Sequence, residues 1–234
     1  MSTIIEQVAG PTAAERPVEV VERKGLGHPD TICDMLSEQL SIALSKYYVR
    51  EFGLILHHNV DKALIVGGQS EPKFGGGRII EPMRIFLSGR VTREVRGRKI
   101  PVIDIAYDTA RAWFAENMHA VDFANGVKFE AFLRPGSSDL VDLFIRQRDK
   151  GVFLANDTSC GVGFAPRTQL ETIVLGIEKR LNSTELKDAL PMTGEDIKVM
   201  GVREGSNVSL TVSCAFIDAH LRGIADYRDA LAGC

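Results

Sequence analysis

Little in this chain is in excess. Lys and Arg total 28 against 31 Asp and Glu, a net charge of −3. That balance gives no general attraction to DNA, RNA or an anionic membrane. No apolar run approaches the roughly 18–20 residues that span a bilayer. The four cysteines (Cys33, Cys160, Cys214, Cys234) lie far apart with no CxxC pair, which argues against structural zinc and a disulfide framework. The opening MSTIIEQVAGPTAAERP lacks the basic-then-apolar layout of a secretory signal, so a reduced, cytoplasmic setting is expected. Neither GxGxxG nor GxxxxGK[ST] occurs. What is present is ordinary globular material, 44% hydrophobic over 234 residues, enough for one large domain or two small ones.

The pattern along the chain reads as α/β. After a loose arm of sixteen residues, Val18–Glu22 predicts a strand and Lys24–Asp30 a turn. Pro29 suits the first turn of a helix, Ile32, Leu36, Leu40, Leu44 and Tyr47 follow at helical spacing, and Gly53 stops it. Ala63–Val66 and Arg84–Val91 read as strands, and Arg96-Gly97-Arg98 as a basic hairpin tip leading into Ile100–Ile105. Tyr107–Met118 predicts a helix, Val127–Phe132 a half-buried strand, and 139–148 fits either. Leu170, Ile173, Val174, Ile177 and Leu181 give an amphipathic helix. Ile197–Arg203 and Val208–Ile217 form a hairpin about Glu204–Asn207. A boundary at Asp149-Lys150-Gly151 would divide the chain into 1–150 and 151–234.

Four polar, glycine-bearing turns follow strands. In Glu22-Arg23-Lys24-Gly25-Leu26-Gly27-His28-Pro29-Asp30, glycines allow close backbone approach and the helix start offers free amides. There His28 could donate to a phosphate and Asp30 could hold magnesium; a helix cap with a surface histidine fits equally well. Gly67 to Arg78, after Asp61-Lys62, resembles a phosphate cradle by composition, or a flexible loop. Arg134-Pro135-Gly136-Ser137-Ser138-Asp139 could wrap a triphosphate, or form an Asx/Ser turn. Asn156-Asp157-Thr158-Ser159 could receive an adenine amino group or a substrate ammonium. Cys160 beside it reads as packing, and His57-His58 as strand-edge polarity, since adjacent strand residues point apart. Together the turns argue for a polyphosphate or nucleotide ligand.

In order, these blocks resemble S-adenosylmethionine synthetase (methionine adenosyltransferase) of the archaeal type: Gly27-His28-Pro29-Asp30 with Ile32-Cys33-Asp34, His58-Asn59-Val60-Asp61-Lys62, Gly67-Gly68, Phe74-Gly75-Gly76-Gly77, Gly136–Leu140, Asn156–Ser159 and Gly194–Gly201. The resemblance implies an α/β (α+β) fold of three similar sheet-and-helix layers, about two of them present here. It implies transfer of the adenosyl group of ATP to the sulfur of L-methionine, with phosphate and diphosphate released. His28 would be catalytic and Asp30 the magnesium ligand. The ATP would meet Glu22, His28, Lys62, Arg134, Pro135, Gly136, Ser137, Ser138 and Asp139, and the substrate Gln69, Asp157 and Thr158. Mg2+ is the implied cofactor, K+ an allowed one, and a homodimer the implied assembly.

Two residues depart from the wider family. Thr31 stands where bacterial and eukaryotic members carry lysine, which moves that lysine's work elsewhere, and Arg134 replaces a glycine. The family's final third carries a further glycine-rich basic block with no counterpart before Cys234. The alternative expectation is therefore a non-catalytic or fragmentary homologue that binds nucleotide and needs a partner chain.

Overall fold

Strand β1 (Val18–Lys24) runs into a turn, and helix α1 (Pro29–Phe52) starts where a backbone donor is dispensable, at proline. The computed structural model describes residues 3–7, 9–136 and 161–233. Ile32, Leu36, Leu40, Leu44 and Tyr48 recur every fourth position along α1 and are all buried. Gly53 ends the helix at φ 77°, a left-handed cap in which its N–H donates to Val49 O. Strand β2 (His58–Val66) starts five residues before the expected Ala63 and carries a bulge between Val60 and Lys62. A short ribbon, β3 (Gln69–Glu71) with β4 (Arg78–Glu81), occupies what reads as loop. Next come β5 (Met83–Val91) and a tiny hairpin, β6 (Glu94–Val95) with β7 (Arg98–Lys99), whose tip is the expected Arg96-Gly97.

The apolar run Ile100–Ile105 is not a continuation of that hairpin. Pro101 caps helix α2 (Val102–Asn117), and Val102, Ala106, Ala110 and Phe114 put one helical face into the core. Helix α3 (Phe123–Gly126) leads to β8 (Val127–Arg134), which pairs parallel to β5, while β2 pairs antiparallel on the other side. Helices α1 and α2 cover one face of this β2-β5-β8 sheet, burying Ile85, Leu87, Val91 and Leu133 with Trp113 and Phe114.

A second layer forms from both ends of the chain. Helix α4 (Gln169–Leu181) is followed by α5 (Thr184–Ala189), β9 (Thr193–Glu204), β10 (Asn207–Phe216) and α6 (Ile224–Gly233). Strand β9 is central, with β1 on one side and β10 on the other. Leu170, Val174 and Leu181 of α4 pack on Ile197 and Val199. Gly201 permits that approach, since a Cβ there would lie 2.7 Å from Val174 and 2.8 Å from Leu170. Two sheet-and-helix layers thus stand as the family resemblance implies. The expected boundary at 149–151 lies outside the described residues, and the sheet β1-β9-β10 joins chain from either side of it. The segment 139–148 is likewise outside them.

The uncovered faces are not wholly polar. Leu64, Phe132 and Val20 are 60%, 49% and 61% exposed. Among the described residues no helix is long and apolar enough to cross a membrane.

Candidate active site

The turn between β1 and α1 is held by backbone. Gly25 N–H donates to Ile197 O at 2.7 Å, and Gly27 N–H to Glu195 O at 2.8 Å. A Cβ on Gly27 would sit 2.6 Å from both Asp196 N and Glu195 C, so only glycine lets the turn lie against β9. His28 follows as the N-cap of α1. Its Nδ1 accepts the Asp30 N–H at 3.2 Å. That bond leaves Nδ1 without a proton and puts the ring's hydrogen on Nε2, a donor with no partner among the described residues at the positive end of a 24-residue helix. The capping role and a donor role are therefore compatible, the first fixing the tautomer for the second.

Around His28 the sheet gathers charges that sequence spacing does not bring together. Lys24 and Lys198 are direct cross-strand partners on β1 and β9, an arrangement that like charges disfavour. Each is answered by a carboxylate: Lys24 Nζ lies 2.5 Å from Asp30 Oδ2, and Lys198 Nζ 2.9 Å from Glu22 Oε2. The Lys198 bond, with the charges of Lys198 and Lys24, holds the Glu22 carboxyl below the usual range. Lys24 does the same for Asp30, helped by Lys198. Both carboxylates thus stay ionised, and their ion pairs are lost only as pH falls through the lowered values. Asp196 is exposed as a residue, yet its carboxyl is shielded enough that desolvation pushes it up. Lys24, Lys198 and Asp196 were not among the sequence candidates. The signal for Lys24 was available, since Thr31 leaves the family's lysine position open.

The remaining candidates lie elsewhere or outside the described residues. Lys62 is exposed on β2 and paired with its neighbour Asp61. Gln69 starts the β3–β4 ribbon. Pro135 and Gly136 line a hollow of about 440 Å³ with Thr92, Arg93 and Lys99, and Pro135 O accepts from Arg90 at 3.1 Å. Arg134, the last residue of β8, pairs in register with Arg90. A separate hollow of about 440 Å³ runs from Pro29 and Asp30 along Cys33 and Asp34 to Ala63–Ile65. Ser137, Ser138, Asp139, Asp157 and Thr158 lie outside the described residues.

In the glycine-rich loop, whose composition fits either a phosphate cradle or a flexible loop, four amides are already engaged within the protein. Lys73 N–H and Gly77 N–H both donate to Asp218 Oδ2 at 2.9 Å, Gly75 N–H to Leu221 O at 2.7 Å, and Gly76 N–H to Lys73 O at 2.9 Å. Asp218 already fills the nest that the composition suggests. Replacing Asp218 by Ala should loosen the loop by about 1–3 kcal/mol locally, the scale for losing bonds to a charged acceptor. Faster tryptic cleavage at Lys73 and Arg78, with little change in melting temperature, is the expected readout.

No three His, Cys, Asp or Glu stand together as a metal cage among the described residues. Asp30 is one exposed carboxylate, already engaged by Lys24. Magnesium carried on phosphates asks for only one or two carboxylates, so Asp30 fits an ion arriving with a nucleotide.

The start of α1, set between two α/β layers, thus brings together a histidine, two lysines and two carboxylates. The chain belongs to the S-adenosylmethionine synthetase (AdoMet synthetase) family, whose profile matches residues 2–232. A probable S-adenosylmethionine synthase of Aquifex aeolicus is 53% identical over 216 residues, 92% of this chain and 54% of that protein. The S-adenosylmethionine synthase of Methanocaldococcus jannaschii is 48% identical over 220 residues, again 92% and 54%, and that of Aeropyrum pernix 46% over 228 residues. The chain thus spans about half the length of the curated relatives it matches. Among solved structures, an unusual S-adenosylmethionine synthetase from Campylobacter jejuni shares the fold, with TM-score 0.53 and 13% identity over 93% of this chain and 53% of that one.

Proposed function

We propose that this chain carries part of the site at which ATP and L-methionine combine to S-adenosylmethionine. The observation that carries this reading is the fixed tautomer of His28, with Nε2–H free at the start of α1 and Lys24 and Lys198 beside it. In the reaction the methionine sulfur attacks ribose C5′, the C5′–O bond breaks, and its electron pair leaves with the triphosphate. Water then cuts that triphosphate to phosphate and diphosphate. Negative charge builds on the departing oxygen, and a preorganised donor aimed at that point is worth several kcal/mol. His28 Nε2–H is the donor in this reading, and the lysines neutralise the chain of phosphates. Asp30 would hold magnesium, which supplies further charge neutralisation. Glu22, Lys62 and the 134–139 segment would contact ATP, while Gln69, Asp157 and Thr158 would meet substrate. The assembly is a dimer in the cytoplasm, and potassium is an optional activator.

In a second reading the chain binds nucleotide but turns over only with a partner polypeptide. The uncovered apolar positions Leu64, Phe132 and Val20 support it. Calorimetry with ATP or imidotriphosphate tests the shared core of both readings. Binding should be stronger with magnesium than without, and Asp30→Asn should remove that difference. Equal heats in wild type with and without magnesium would take Asp30 out of the metal role.

A further inference from the structure

Behind the His28 turn lies a buried carboxylate whose hydrogen bonds do not balance without an extra proton. Glu195 on β9 has a side chain only 7% exposed. Its Oε1 meets His119 Nδ1 in a short contact and receives the His119 N–H at 3.4 Å. The other ring nitrogen, His119 Nε2, lies 3.0 Å from Pro191 O. A carbonyl only accepts, so Nε2 carries a hydrogen. A neutral ring of that tautomer would turn its Nδ1 lone pair on an ionised carboxylate. The contact closes only with one proton held between Nδ1 and Oε1, as imidazolium with carboxylate or imidazole with carboxyl.

The position of this pair gives it a consequence. His119 follows directly on α2 and belongs to the β2-β5-β8 layer, whereas Glu195 and Pro191 belong to the other layer. The backbone of Glu195 accepts from Gly27, and Asp196 N would touch any Cβ placed there. Displacing Glu195 therefore displaces the turn that ends in His28. We propose that His119 and Glu195 are positioning residues: a proton-sharing pair that fastens the start of β9 to the end of α2 and so aims His28. The functional half of this inference rests on the polyphosphate reading of His28; the structural half does not.

Amide hydrogen exchange on the chain as it stands separates the two. His119→Ala should raise exchange at Gly25, Gly27 and His28 by at least about tenfold, the scale of one lost charge-assisted bond, with mid-α1 amides unchanged. Glu195→Gln should stay near wild type, because its amide NH2 can donate to Nδ1 of a neutral ring and no extra proton is needed. Should His119→Ala fail to fold, His119→Gln keeps one donor for Glu195 but cannot also reach Pro191 O, and a smaller rise confined to the turn is expected. Unchanged exchange in the His119 variants, or a uniform rise through turn and α1 alike, would overturn the pair as a positioning device. So would a Glu195→Gln protein that exchanges like His119→Ala. In the same variants, affinity for tripolyphosphate should fall with loosening of the turn. Wild type that binds no tripolyphosphate sinks the reading of His28 and leaves the exchange contrast to decide the pair. Binding that ignores the loosened turn sinks the claim that the pair aims His28.

Discussion

Replacing His28 with Ala should lower turnover by about 10²–10³, the cost of one preorganised donor at a developing oxyanion. The measurement belongs in a complete site, for instance this chain joined to the remaining portion of the Methanocaldococcus jannaschii relative. Substrate affinity should change far less, since the donor acts where charge develops in the transition state. The same substitution removes the N-cap of α1, a loss of about 0.5–2 kcal/mol. His28→Asn separates the two effects. Asparagine caps as well as any residue but offers no Nε2–H in the same place, so stability should recover while turnover stays low. Full turnover in either variant would return His28 to the status of a cap.

The largest effect on stability should come from Arg203→Ala. Arg203 is 18% exposed and pairs at 3.2 Å with Glu19, whose side chain is 8% exposed. Its guanidinium also donates to the carbonyls of Ala13, Ala14, Arg16 and Gly205. Glu19 in turn accepts from Thr168, the N-cap of α4. Removing Arg203 leaves a buried carboxylate without its cation, at a cost of about 3–5 kcal/mol. Thermal melting should fall by on the order of 10 °C in a chain of this size. The double variant Glu19→Leu, Arg203→Met should regain much of that, because an apolar pair carries no desolvation penalty. A single variant that melts with wild type would mean that Glu19 is satisfied without Arg203, by Thr168 and solvent.

What the sequence made legible was local. Helix α1 announces itself through residues four apart between Pro29 and Gly53, and the β9–β10 hairpin through its turn at Gly205. Family membership was legible from the order of the blocks. The beginning of α2 was not, because Ile100–Ile105 is a short β-branched run in which strand and helix periods look alike. Nor was the state of the glycine-rich loop: glycines that could cradle a phosphate serve equally to wrap a carboxylate, and the deciding Asp218 lies far downstream. Lys24 and Lys198 are neighbours only through the β1–β9 register. Nothing local specifies that pairing.

That register also sets an order of events during synthesis. The chain grows from its N-terminus, so β1 is made long before β9, its only partner strand among the described residues, which begins at Thr193. By then β2, β5 and β8 have all been translated, with the two helices that cover them. Val20 and Val21 meanwhile have no sheet to join. The turn bearing His28 thus acquires its backing from Glu195 and Ile197 only after the whole β2-β5-β8 layer has been made.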